Sequence, residues 1–112
     1  MKILFAIVLI LLAGVAGAAS VTFQWDAYTD ANDGFYLYQS NSTGVQPIVA
    51  NRVATITPKT ATSYTLTGVS VGVHYWCLTA YSATLGESVC SNEATGTVKL
   101  GKPTGLIITL SQ

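Results

Sequence analysis

The chain has 112 residues, half of them apolar, and its five basic and five acidic side chains cancel. That length suits one domain. A charged fraction of 9%, against roughly 25% in an ordinary soluble domain, excludes a polyelectrolyte role on nucleic acid or an acidic membrane.

The apolar excess is concentrated at the N-terminus. Lys2 precedes an unbroken apolar run over residues 3–12, followed by the small residues 13–19. This charged, apolar, small-residue order is that of a secretory signal, and Ala16-Gly17-Ala18 fits its cleavage site. Cleavage there makes residues 1–18 a signal peptide and Ala19 the first mature residue. The competing reading is an uncleaved anchor, but the fully apolar part is about half the roughly 20 residues a spanning helix needs. The expected location is therefore secreted, periplasmic or cell-surface, with no membrane span after cleavage. Losing Lys2 leaves four basic groups against five acidic ones, too little charge to steer a partner.

Along the mature chain, alternation is nearly everywhere and helical spacing nowhere. Val21-Thr22-Phe23-Gln24-Trp25 puts three apolar residues on one face, which predicts a half-buried strand. Residues 26–34, rich in Asp, Asn and Gly, form a loop before the strand Phe35-Tyr36-Leu37-Tyr38. Residues 46–50 and 52–57 are shorter apolar runs, expected as edge strands limited by Pro47 and Pro58. Tyr64-Thr65-Leu66 alternates again, and residues 74–81 carry Trp76, Leu78 and Ala80 on one side. Strands every 8 to 12 residues with turns between them indicate an all-β sandwich.

Export gives the two cysteines, Cys77 and Cys90, an oxidising compartment. They lie in neighbouring strand-like segments, residues 74–81 and 88–98. If they face each other across an antiparallel pair, Thr79 faces Ser88, Tyr81 faces Gly86, and residues 82–85 form the loop. Directly opposed residues are close enough for a disulfide.

Taken together, Val21-Thr22-Phe23-Gln24-Trp25-Asp26, Gly34-Phe35-Tyr36-Leu37-Tyr38 and Ser63-Tyr64-Thr65-Leu66-Thr67-Gly68-Val69 resemble the B, C and E strands of a fibronectin type III domain. Residues 72–81 and Glu87-Ser88-Val89-Cys90-Ser91-Asn92-Glu93 resemble the F and G strands of its bacterial and phage versions. The resemblance covers residues 21–98 and implies an immunoglobulin-like antiparallel β-sandwich of about seven strands. It implies that Trp25 and Leu66 are core residues of strands B and E. The family's tyrosine before strand F is displaced, because alternation counted back from Trp76 reaches His74 rather than Tyr75. No Arg-Gly-Asp tripeptide is present, so integrin-type adhesion is not carried over.

The expected cleavage leaves no room for strand A in front of strand B. Residues 101–112 hold a proline-led segment with Leu106, Ile108 and Leu110 on one face. We therefore divide the chain into a signal peptide (1–18), a fibronectin type III domain (19–100) and a strand-A-like segment (101–112). That segment is expected to supply the missing strand, within its own chain or to the next molecule of a head-to-tail homo-oligomer.

Catalytic, metal and cofactor signals are weak. His74 is the single histidine and sits at a strand start, where packing is the expected role. Asp30-Ala31-Asn32-Asp33-Gly34 lacks the alternate-oxygen spacing and late Glu of a calcium loop, and turn chemistry accounts for it. Glu87 and Glu93 are expected to be solvated. The sequence thus implies no catalytic residue, metal or cofactor. With Phe35, Leu37, Trp76 and Leu78 pointing inward, Tyr36, Tyr38, Tyr75 and Tyr81 point outward on strands that are neighbours in this fold. Four tyrosines on one sheet face suit protein or glycan contact at a cell or virion surface. The alternatives are a structural subunit linked through its C-terminal strand and a carbohydrate-binding accessory module.

Overall fold

The computed structural model describes residues 7–13 and 18–111. Residues 1–6 and the Ala16-Gly17 part of the expected cleavage site lie outside the described residues. The strands are β1 (Ile7–Ala13), β2 (Ala18–Trp25), β3 (Gly34–Ser40), β4 (Arg52–Ile56), β5 (Ser63–Ser70), β6 (Gly72–Ser82), β7 (Gly86–Glu87) and β8 (Ala94–Val98). They form two antiparallel sheets. One has the order β1-β2-β5; the other runs β4-β3-β6, with β7 and β8 sharing the far edge of β6. Counting β7 and β8 as one interrupted strand gives the expected seven-stranded sandwich. Among the described residues no helix is long and apolar enough to cross a membrane.

Alternation builds the core as the sequence predicts. Val21, Phe23 and Trp25 of β2 pack against Phe35 and Leu37 of β3 and Trp76, Leu78 and Ala80 of β6. Phe23 meets Trp76 edge-on at 5.2 Å, and Trp25 meets Phe35 at 5.4 Å, the geometry aromatic quadrupoles favour. His74, not Tyr75, takes the inward place before Trp76. It is buried, with Nε2 2.8 Å from the Ser70 carbonyl oxygen.

Three expectations need correction. First, residues 46–50 form no strand: Val49–Asn51 is a 3₁₀ turn. Pro47 withholds a ladder donor, and the Asn51 side chain donates to the Gln46 carbonyl at 3.0 Å, so local bonds win. Second, the hairpin after β6 is shifted by one residue. Tyr81 pairs with Glu87 and Ser82 with Gly86, leaving Ala83, Thr84 and Leu85 in the turn. Gly86, at φ +86°, supplies the left-handed residue that closes a short loop. Third, residues 101–111 do not supply strand A within their own chain: they carry no strand and are exposed. Ile7–Ala13 holds that place instead, antiparallel to β2.

Gly34 fixes how closely the ends of β3, β4 and β6 approach. A Cβ there would lie 2.5 Å from the Ile56 carbonyl oxygen and 2.9 Å from the Tyr81 ring. Gly34→Ala is expected to cost about 1–3 kcal/mol, as overpacking does. Denaturant unfolding checks this, and an unchanged midpoint would refute the close-approach account.

Candidate functional site

The outer face of the five-stranded sheet gathers the four predicted tyrosines. Tyr36 and Tyr38 come from β3, Tyr75 and Tyr81 from β6, and the register Tyr38 to Cys77 and Ser40 to Tyr75 keeps them on one side. They are not equivalent. Tyr38 is fully buried, while Tyr36, Tyr75 and Tyr81 are half-buried. Tyr38 lies in a second, outer cluster with Val45 and Cys77, against which Tyr36, Tyr75 and Cys90 pack. The expected disulfide Cys77–Cys90 is formed, with Cα atoms 5.6 Å apart, although Cys90 lies outside the paired strands.

Tyr38 is buried because its hydroxyl is satisfied. It donates to Glu87 Oε2 and accepts from Arg52 Nη2 at 3.3 Å. Thr79, also fully buried, donates to the same Glu87 oxygen at 2.6 Å. Burial raises the Tyr38 pKa, and donation to the Glu87 carboxylate raises it further, so the phenol stays protonated as a donor. Glu87 is exposed, as expected, and its carboxylate also satisfies two buried hydroxyls.

At one end of the face, three groups stack. The Arg52 guanidinium lies 3.6 Å from the Tyr36 ring centroid, and the Tyr81 ring lies 4.2 Å from it at 11°. Two groups this close cannot share one ring face, so Tyr36 is sandwiched between them. The hydrogen bond to Tyr38 holds Arg52 protonated, raising its pKa from an already high value. Tyr75 sits six residues along β6 from Tyr81, roughly 20 Å away. The face thus presents two ring patches separated by the buried Tyr38.

The segment between β7 and β8 holds this face by side-chain bonds where regular pairing lapses. Ser88 Oγ and Ser91 Oγ accept from the Ala80 and Leu78 amides at 2.9 and 3.0 Å, standing in for strand carbonyls. Their own amides donate to the Ala80 and Leu78 carbonyls, each at 2.8 Å. Glu93 was also expected to be solvated. Instead its carboxylate accepts from Thr43 Oγ1 at 2.6 Å and from the Gly44 and Val45 amides at 2.8 and 3.0 Å. This fixes Val45 over the outer cluster.

No family model matches the sequence, and no curated protein matches it. Among solved structures, the chain is similar to the fn3 domain of human collagen alpha-1(XX) chain. The identity is 19%, covering 87% of this chain and 88% of that one, with a TM-score of 0.56. It is likewise similar to the fibronectin type-III domain of human fibronectin type III domain containing protein 3. There the identity is 17%, the coverage 91% and 92%, and the TM-score 0.55. The chain has the fibronectin type III fold.

On this fibronectin type III sandwich the sequence pointed to the tyrosines but missed Arg52, Glu87 and Thr79. Arg52 follows a 3₁₀ turn and reaches Tyr38 only through the irregular register between β3 and β4. Strand alternation alone does not report that shift. One loop acid does structural work: Asp33 Oδ2 accepts from the Ala83 amide at 2.7 Å, clamping the β6–β7 turn. Among the described residues no group of three or more His, Cys, Asp or Glu side chains could hold a metal ion.

The Thr43 hydroxyl and the Val45 and Gly44 amides hold the Glu93 carboxyl below its ordinary value of 4.5. A depressed carboxyl contributes stability above its unfolded pKa and loses it as pH falls through the folded one. The Gly44 and Val45 amide resonances are therefore expected to titrate with a midpoint below 4.5, and Glu93→Gln should abolish that titration. A midpoint at or above the ordinary value would exclude the clamp.

Proposed function

We propose that the protein is an exported, non-enzymatic fibronectin type III module that makes protein contacts at a cell or virion surface through the outer face of its five-stranded sheet. The observation that carries this reading is the Arg52–Tyr36–Tyr81 stack. Arg and Tyr are enriched at interface centres, and side chains already locked by stacking lose little entropy on binding. Export is supported by the order of Lys2, the apolar run and the small residues that follow, and by a disulfide that persists in an oxidising compartment. The non-enzymatic reading is supported by His74, which is buried and bonded to a backbone carbonyl. A protein partner is favoured over a glycan because Tyr36, the central ring of the stack, has both faces covered, so a sugar would have to stack on Tyr75 or on the other face of Tyr81 instead.

The test is binding of the processed domain to intact cells of the producing organism. Arg52→Ala and Tyr81→Ala should each weaken binding at least tenfold, in the range of interface hot spots. Thr67→Glu, on an exposed position of β5, should not. Equal binding by all three variants would remove the assignment. Protease treatment of the cells should abolish binding, whereas binding that survives it and is lost to periodate would identify a glycan.

A further inference from the structure

We propose that, after the export segment is cut, residues 106–110 of one copy pair with the freed edge of β2 in the next copy and join the copies head to tail. This rests on the export reading above. One edge of β2 pairs with β5 and the other with β1. Cleavage after Ala18 removes β1, which leaves the backbone groups on that edge of residues 19–25 unpaired beside the core residues Val21, Phe23 and Trp25, while the other edge stays paired with β5. An open edge of this kind is a template for another strand.

The chain carries a segment that fits it. Leu106, Ile107, Ile108 and Leu110 are 88, 81, 77 and 86% exposed, a strand-length apolar run with nothing over it. Laid antiparallel on β2, Leu106, Ile108 and Leu110 fall opposite Trp25, Phe23 and Val21. Those register positions are now held by Ile7, Leu9 and Leu11. Each of the three places thus exchanges one aliphatic residue for another, and Thr109 falls opposite Thr22 on the outer side.

The direction of the chain selects a second copy as the donor. β1 enters at the Trp25 end of β2 and leaves at the Ala19 end. β8 finishes with Val98 opposite Gly72, and Ser70 pairs with Ala18, so the chain exits at the Ala19 end. To reach its own Trp25 end, the linker from Val98 to Leu106 must return along roughly 20 Å of strand and reverse direction twice. Eight steps span at most about 26–29 Å fully extended. Passing straight on into the Trp25 end of a neighbour needs no reversal. The same polarity then repeats from copy to copy, a heterologous contact that leaves one free edge and one free strand at the ends.

The exported chain is purified, its mass is measured, and Gln24→Cys with Ile107→Cys is introduced. These positions face each other in the proposed register with both side chains on the outer side. The expected mass begins at Ala19, and oxidation gives a ladder of covalent multimers. Mixing the two single-substitution chains, Gln24→Cys and Ile107→Cys, gives a dimer whose cross-link between positions 24 and 107 is identified by peptide mass. Ile108→Asp should reduce the multimers at least tenfold in sedimentation. A cross-linked monomer, no cross-link, or multimers undiminished by Ile108→Asp would each overturn the proposal. A chain that retains residues 7–13 would overturn it as well, and the mass separates that failure of export from a failure of strand exchange.

Discussion

The structure depends on β6 being buried on both faces. Its residues from Trp76 to Ala80 are all buried, so this strand cannot follow the simple rule of one apolar and one solvated face. Trp76, Leu78 and Ala80 fill the sandwich. Cys77 and Thr79 face outward and still lie under cover. The outer cover must therefore come from elsewhere: Tyr38 across the ladder, Val45 from the loop after β3, and the disulfide to Cys90. Thr79 brings a hydroxyl into that cover, and an unpaired buried hydroxyl is costly. Glu87 removes the cost by accepting from both Thr79 and Tyr38.

Residues 87–93 link these requirements into one network. Glu87 satisfies the buried hydroxyls, Ser88 and Ser91 complete the β6 ladder, Cys90 closes the disulfide and Glu93 fixes the loop that delivers Val45. Five side chains within seven residues do this, and two of them, Ser88 and Ser91, take the place of strand carbonyls. The substitution has a geometric consequence. Val89 is pushed out to 74% exposure while the serines turn in, so the segment departs from period-two alternation without leaving the sheet edge unsatisfied.

Where alternation governs, the sequence was legible. Val21, Phe23, Trp25, Phe35, Leu37, Trp76 and Leu78 are buried as their spacing predicts, and His74 takes the place that counting assigned it. Legibility failed where side chains replace backbone bonds or where register slips. Polarity places Glu87 in solvent, where it is, but reports neither its hydroxyl partner nor that of Glu93, each about fifty residues distant in the chain. Tyr38 was placed on the correct face but is buried, because Arg52 and Glu87 converge on its hydroxyl from two other strands. The strand-A place has two candidates, because residues 7–13 and 106–110 have the same apolar character. Alternation cannot rank two such candidates, whereas chain polarity can.

The tyrosine face and the β2 edge belong to different sheets, coupled through the Phe23–Trp76 contact across the core. Occupying one therefore leaves the other uncovered. This separation bears on affinity. Tyr75 lies apart from the Arg52–Tyr36–Tyr81 stack, and contacts confined to such narrow patches fall in the weak, transient class of interfaces. Joining copies along the β2 edge would present the same face once per copy with constant polarity. Each binding event after the first then becomes intramolecular, and avidity grows without any new contact. The assembly proposed for the three-stranded sheet would thus supply what the contact face proposed on the five-stranded sheet lacks by itself.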